Sequence, residues 1–251
     1  MKRKIIICII IVIIPFLILI LDHYILNEDL HLQSSYDASA DWAYITEHQN
    51  DYPLSLLKLA LHNKETIPFV SRYPQDHKMD FNMNVQEDLQ TKEIPLLLQW
   101  DKRWGYKTYG DHMMAISGCG PTCLSMVISY LKQNGQYHPY CIAQYARQKG
   151  YYNTSGTSWK LMQQGAENFG LKVQELILDE GVIQQTLNQG FPIICSVSKG
   201  IFTNEGHFIV LREYKNGLIY VNDPNSYEKS QKGYTFQELQ YQIKNLWAYS
   251  L

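Results

Sequence analysis

The sequence predicts an α+β fold, in which helices come first and an antiparallel sheet follows. Two observations predict it. Between residues 120 and 170 apolar residues recur at helical spacing, whereas from residue 192 onward they form short runs bounded by turn residues. Two of the later runs are joined by Lys215-Asn216-Gly217, the signal of an antiparallel hairpin.

The N-terminus makes the first physical statement. Met1-Lys2-Arg3-Lys4 is basic, and residues 5–21 are apolar without exception. At 1.5 Å per residue those 17 residues span about 26 Å, close to the ~30 Å hydrocarbon core of a bilayer. Tyr24, Ile25 and Leu26 can extend the segment to the interface, and the basic cluster should stay inside, leaving the rest of the chain outside. The reading is an N-terminal membrane anchor over residues 1–26. A cleavable signal peptide is the rival, but the nearest small-x-small site, Ala38-Ser39-Ala40, lies well downstream. Cys8 lacks the small neighbours of a lipidation site.

Residues 27–91 are polar and mixed, and read as a stalk with a small helical region. Helices are expected at 41–48 and 53–63, the second burying Leu54, Leu57 and Leu61. From residue 92 to 251 the texture is that of a folded domain. Ile94 to Trp100 is a short apolar segment. A helix over 120–133 starts with Pro121 in its first turn and buries Leu124, Val127, Ile128 and Leu131. A second helix covers 139–148, and a third runs from a Thr157 cap to Gly170. Strand-like residues 171–178 and a helix at 181–189 precede strands at 192–198, 206–214 and 217–222, with a last strand near 246–249.

The length of 251 residues suits one domain plus extras, and 45% hydrophobic residues can build a sizeable core. A net charge of −2 with 18% charged residues gives no field that would attract nucleic acid. Of the five cysteines, Cys119 and Cys123 are too close on one helix to bridge, and Cys195 sits in an apolar strand, so no structural disulfide is expected. A lone C-x3-C is also a poor zinc site, so neither metal nor cofactor is expected.

The chemistry gathers at three points. Ser117-Gly118-Cys119-Gly120-Pro121 puts a thiol at a helix start, where free backbone N–H groups and the helix dipole favour thiolate. The flanking glycines allow close approach. Gly206-His207-Phe208-Ile209 opens an apolar strand with a histidine, and Asn222-Asp223-Pro224 closes the next strand with an acid. Cys119, His207 and Asp223 stand in an order that a nucleophile, its base and the base's orienter can take. Gln99 could donate to an oxyanion beside the Cys119 N–H. Each has a plainer reading: a small helix-start residue, a core histidine, a turn residue before proline, a surface glutamine. Cys123, His112 and Asn222 are the reserves for nucleophile, base and orienter. Trp100, Trp104 and Trp159 read as packing or cleft walls.

Gln99-Trp100, Gly118-Cys119-Gly120-Pro121-Thr122, Gly156-Thr157-Ser158-Trp159, Gly206 to Leu211 and Asn222-Asp223-Pro224 together resemble the papain-like bacteriocin-processing peptidases, which cut after a double glycine. The resemblance is closer to their stand-alone, extracytoplasmic relatives of the peptidase family-39-like group, and covers residues 92–251. It implies a papain-like fold, with the nucleophile at the N-terminus of a helix packed on an antiparallel sheet. It also implies a peptide or protein substrate, and the roles of nucleophile, base, orienting acid and oxyanion donor for Cys119, His207, Asp223 and Gln99. In the processing peptidases the glutamine lies a few residues before the cysteine, whereas here the gap is twenty, so either a loop is inserted or another donor serves. The chain has no phosphate-binding loop that would couple it to a transporter ATPase. Amidase or transpeptidase chemistry at the same site, or a tethered binding module without activity, are the alternatives. No motif specifies an oligomeric state.

Overall fold

The computed structural model describes Ile25, residues 39–154 and residues 156–251. The basic cluster and the apolar run 5–21 lie outside the described residues. No helix among the described residues is long and apolar enough to cross a membrane. The chain divides into two compact units, residues 1–74 and 75–251.

In the first unit, helix α1 (Ala40–Glu47) is capped by Ser39, whose Oγ accepts from Trp42 N at 3.2 Å. It is followed by α2 (Leu54–His62) and α3 (Ile67–Ser71). Trp42, Ile45, Leu56, Leu57 and Val70 are buried. The buried face of α2 is Leu56, Leu57 and Ala60, so of the expected Leu54, Leu57 and Leu61 only Leu57 is in it. Helix α3, absent from the sequence analysis, packs against α2.

The second unit starts ahead of the expected 91/92 boundary. Residues 75–91 are polar, yet Val85 and Leu89 are buried, and Val85 N donates to Gly135 O at 3.0 Å. Its centre is α4 (Cys119–Lys132), with Gly120 to Ser129 buried as an unbroken run. The expected apolar stripe is therefore only part of the buried surface, since this helix has protein on every side. Its serines are compatible with burial because each bonds a backbone carbonyl: Ser125 to Tyr137 O at 2.6 Å, Ser129 to Ser125 O at 2.7 Å. Helix α5 (Pro139–Gln148) packs against α4 as the sequence spacing indicates.

Two short hairpins join strand β1 (Thr108–Tyr109) to β2 (His112–Met113) and β3 (Tyr152–Asn153) to β4 (Gly156–Thr157). The third expected helix is broken. Ser158, not Thr157, caps a 3-10 turn at Trp159–Leu161; Gln163 leaves helical geometry, and α6 covers only Gln164–Asn168. Thr157 cannot cap because it is already paired with Tyr152 across the β3–β4 hairpin.

The main sheet has β5 (Lys172–Glu175), β6 (Ile193–Val197), β7 (His207–Lys215), β8 (Leu218–Asn222), β9 (Gly233–Tyr234) and β10 (Ile243–Ser250). All neighbours are antiparallel in the order β5-β10-β6-β7-β8-β9. Helix α7 (Glu180–Asn188), capped by Asp179, lies between β5 and β6 in the chain. Asn216 and Gly217 both have positive φ, the two-residue turn read from sequence. The central strands alternate between two cores. Ile194, Phe208, Val210, Trp247 and Tyr249 join the α4 side. Ile193, Cys195, Ile209, Leu211 and Leu246 join α7 on the other. Burial on both faces is why these strands read as continuous apolar runs.

Candidate active site

Sheet and helix meet where β7 begins and α4 begins. Cys119 opens α4, and the N–H groups of the first turn have no intrahelical partner. Gly118 and Gly120 are small here because of the protein's own atoms. A Cβ on Gly118 would collide with the Met114 carbonyl oxygen, and one on Gly120 would lie 2.7 to 2.9 Å from the Thr157 side chain.

His207 is the first residue of β7 and is buried. Its Nε2 lies 2.7 Å from Asp223 Oδ1. Cys119 lines the same cleft and adds to the rise of the imidazole, and with Nε2 on Asp223, Nδ1 is the ring nitrogen left for it. Burial opposes a charged imidazole, but the charge and hydrogen bond of Asp223, with the contact to Cys119, outweigh it and raise His207 to about 10. Asp223 is fully buried. Asn225 N donates to its Oδ1 at 2.8 Å, and its own N–H donates to Ser230 Oγ at 2.8 Å. Oδ2 is buried without a hydrogen-bond partner among the described residues.

The structure thus brings Cys119, His207 and Asp223 together and gives Gln99 a different setting. Gln99 is 3% exposed. Its Nε2 donates to Ala115 O at 2.8 Å and reaches Ile116 O at 3.5 Å. Its backbone N–H donates to Pro224 O at 2.7 Å, and Trp100 Nε1 donates to Asn225 O at 3.1 Å. The segment from 94 to 100 therefore braces the turn that carries Asp223. Asn222 belongs to the same clamp, with Nδ2 donating to Ile94 O at 3.0 Å and Pro95 O at 3.1 Å. It is turned away from His207.

Among the described residues, Cys123, Cys141 and Cys195 do not line the cleft. Burial pushes the thiols of Cys123, Cys141 and Cys195 up from their ordinary value. Among the described residues no cluster of three or more His, Cys, Asp or Glu could hold a metal. Trp104 is fully buried packing, as one of the expected readings has it.

Cys119 and His207 open onto a cleft of about 460 Å³. His112 stands on its rim. Trp159 forms a wall, 48% exposed, held by Nε1 donating to Ser196 Oγ at 3.2 Å and by edge contact with Trp247. Thr157 and Tyr152 line the cleft as well. From sequence, Thr157 reads only as a helix cap and as part of a motif, and nothing singles out Tyr109, whose hydroxyl meets Thr157 Oγ1 at 2.9 Å. Neither has a type or spacing that marks chemistry in a linear sequence.

The Peptidase_C39 like family model matches residues 91–250. No curated protein matches the chain. Among solved structures, it is similar to the peptidase domain of Streptococcus ComA, described as a bi-functional ABC transporter involved in a quorum-sensing pathway. That likeness has 20% identity, covers 53% of this chain and 91% of that one, and has a TM-score of 0.42. It is also similar to a Bacillus anthracis structure described as a C39-like peptidase, at 13% identity, 68% and 98% coverage and a TM-score of 0.46.

Proposed function

The chain belongs to the Peptidase_C39 like family and is a cysteine peptidase; from that premise we propose that it hydrolyses peptide bonds through Cys119, His207 and Asp223. The observation that carries the assignment is the His207 ring, which is held by Asp223 through Nε2 and lines one cleft together with Cys119.

The Cys119 thiolate attacks the peptide carbonyl carbon, forming a C–S bond and an oxyanion. The Cys119 N–H and the Gln99 amide are the proposed donors to that oxyanion. The Gln99 proton that meets Ile116 O at only 3.5 Å is the one available for it. His207 Nδ1 then gives its proton to the departing amine as the C–N bond breaks, leaving an acyl-enzyme thioester. Water loses a proton to His207, attacks the thioester carbonyl and releases the acid, and Cys119 leaves again as thiolate. Asp223 keeps the imidazole oriented and favours its charged form throughout.

The test is iodoacetamide labelling of residues 27–251 across pH 5–9 with peptide mapping. Cys119 should label first, since burial holds the other three thiols high. His207→Ala should slow Cys119 labelling, and Cys119→Ala should abolish peptide turnover while keeping the fold. Labelling of Cys119 no faster than Cys141, or turnover that survives Cys119→Ala, overturns the assignment.

The proposal extends to location. The apolar run 5–21 behind a basic cluster supports a single-pass anchor with the peptidase unit outside the cytoplasm.

A further inference from the structure

One cleft residue has chemistry that the triad leaves unused. Thr157 ends the β3–β4 hairpin and lines the cleft with Cys119 and His207. Its side chain lies against the first turn of α4, so close that a Cβ on Gly120 would sit 2.9 Å from Thr157 Oγ1. The whole side chain, methyl and hydroxyl alike, is therefore held against Gly120, the residue that follows the nucleophile.

Thr157 Oγ1 is 2.9 Å from the hydroxyl of Tyr109, which is fully buried and ringed on one side by Tyr152 at 4.6 Å. Either oxygen could give the proton, but a phenol is far more acidic than an alcohol and is the stronger donor. Burial, which outweighs the lowering effect of the Thr157 bond, pushes the phenol up, so Tyr109 keeps its proton. When Tyr109 donates, Thr157 has its own proton free to point into the cleft. Gln99 Nε2 already donates to Ala115 O at 2.8 Å, so one of its two amide protons is committed.

We propose that Thr157 Oγ1, oriented by Tyr109, donates a hydrogen bond to the substrate acyl oxygen at Cys119, supplying a further donor beside the helix N–H group and the Gln99 amide. Thr157 is then a catalytic residue that touches the reacting group, and Tyr109 is a positioning residue that acts through it. This inference rests on Cys119 being the nucleophile, and the test separates the two. The arrangement tells a mechanism from mere packing because a methyl in place of the hydroxyl preserves shape and removes only the donor.

The probe is a p-nitrophenyl ester, which needs no peptide specificity. Thiolate attack forms the C–S bond, the ester C–O bond breaks, and nitrophenolate leaves with the electron pair, giving an absorbance burst. Thr157→Val should slow the burst rate constant roughly 10- to 100-fold, with little change in the ester concentration at half saturation. Thr157→Ser should restore most of the rate. Tyr109→Phe should slow the burst less, and Tyr109→Phe combined with Thr157→Val should be no slower than Thr157→Val alone, because Tyr109 acts only through Thr157. A burst in Thr157→Val equal to that of the unmodified protein, or effects of the two substitutions that multiply, overturns the inference and leaves the nucleophile assignment standing. Nitrophenolate release that survives Cys119→Ala overturns both.

Discussion

At His207, desolvation and pairing pull in opposite directions, and pairing prevails: Asp223 and Cys119 raise the imidazole to about 10 against an ordinary value of 6.5. A folded-state value above the unfolded one means a stabilising contribution that is fully present below about pH 6.5 and is lost as pH rises toward 10. The same proton is the one delivered to the leaving amine, so the alkaline limb of kcat/KM should follow His207. Asp223→Asn removes the charge that contributes most to the raised value, and the limb should move acidward by at least about one pH unit. A pH–rate profile measures this directly; an unmoved limb would mean that Asp223 does not set the imidazole's charge. At this scale the residue types were legible in the sequence: a thiol between glycines, a histidine opening an apolar strand, an acid before proline. What could not be read was Thr157 with Tyr109. Their pairing spans 48 residues, and neither hydroxyl differs in sequence from any structural Thr or Tyr.

Among the elements, the start of α4 is the most tightly constrained. Gly118 has an ordinary negative φ, so its need for glycine is steric: a side chain there would meet the Met114 carbonyl oxygen and lie 2.9 Å from Met114 Cε. Gly206, equally prominent beside His207, has nothing within 4 Å of an added Cβ. Gly118→Ala should therefore destabilise the fold by about 1–3 kcal/mol, whereas Gly206→Ala should stay within roughly 0.5 kcal/mol. Denaturant midpoints of the two variants check the contrast, and equal losses would refute the steric account. Helix α5 and strands β6 to β8 were legible because spacing and the Asn-Gly turn act locally. The helix expected from Thr157 to Gly170 failed because pairing of Thr157 with Tyr152 overrides its capping tendency. Strand β10 is longer than its apolar residues suggest: Lys244 and Asn245 lie within it, and a register shift between Ile243 and Asn245 accommodates the irregularity.

For the whole molecule, the proposed anchor makes the full chain a membrane protein and residues 27–251 a soluble one. Membrane fractionation should recover the full chain in the alkali-resistant pellet, with its C-terminal portion cleaved by protease added outside intact cells. Recovery of the full chain in the soluble fraction would exclude the anchor. Composition, periodicity and local motifs by themselves determined the α+β class, the order of the main helices and strands, and three of the residues that the fold brings together, because these depend on local propensity and on which faces must be buried. Tertiary structure decided the rest. Distances between residues far apart in the chain are set by packing: the bracing of Asp223 by residues 94–100, the bond of Gln99 to Ala115 O, and the placing of Thr157 against the first turn of α4. Such contacts arise only when the sheet and α4 close on one core, and no local pattern encodes them.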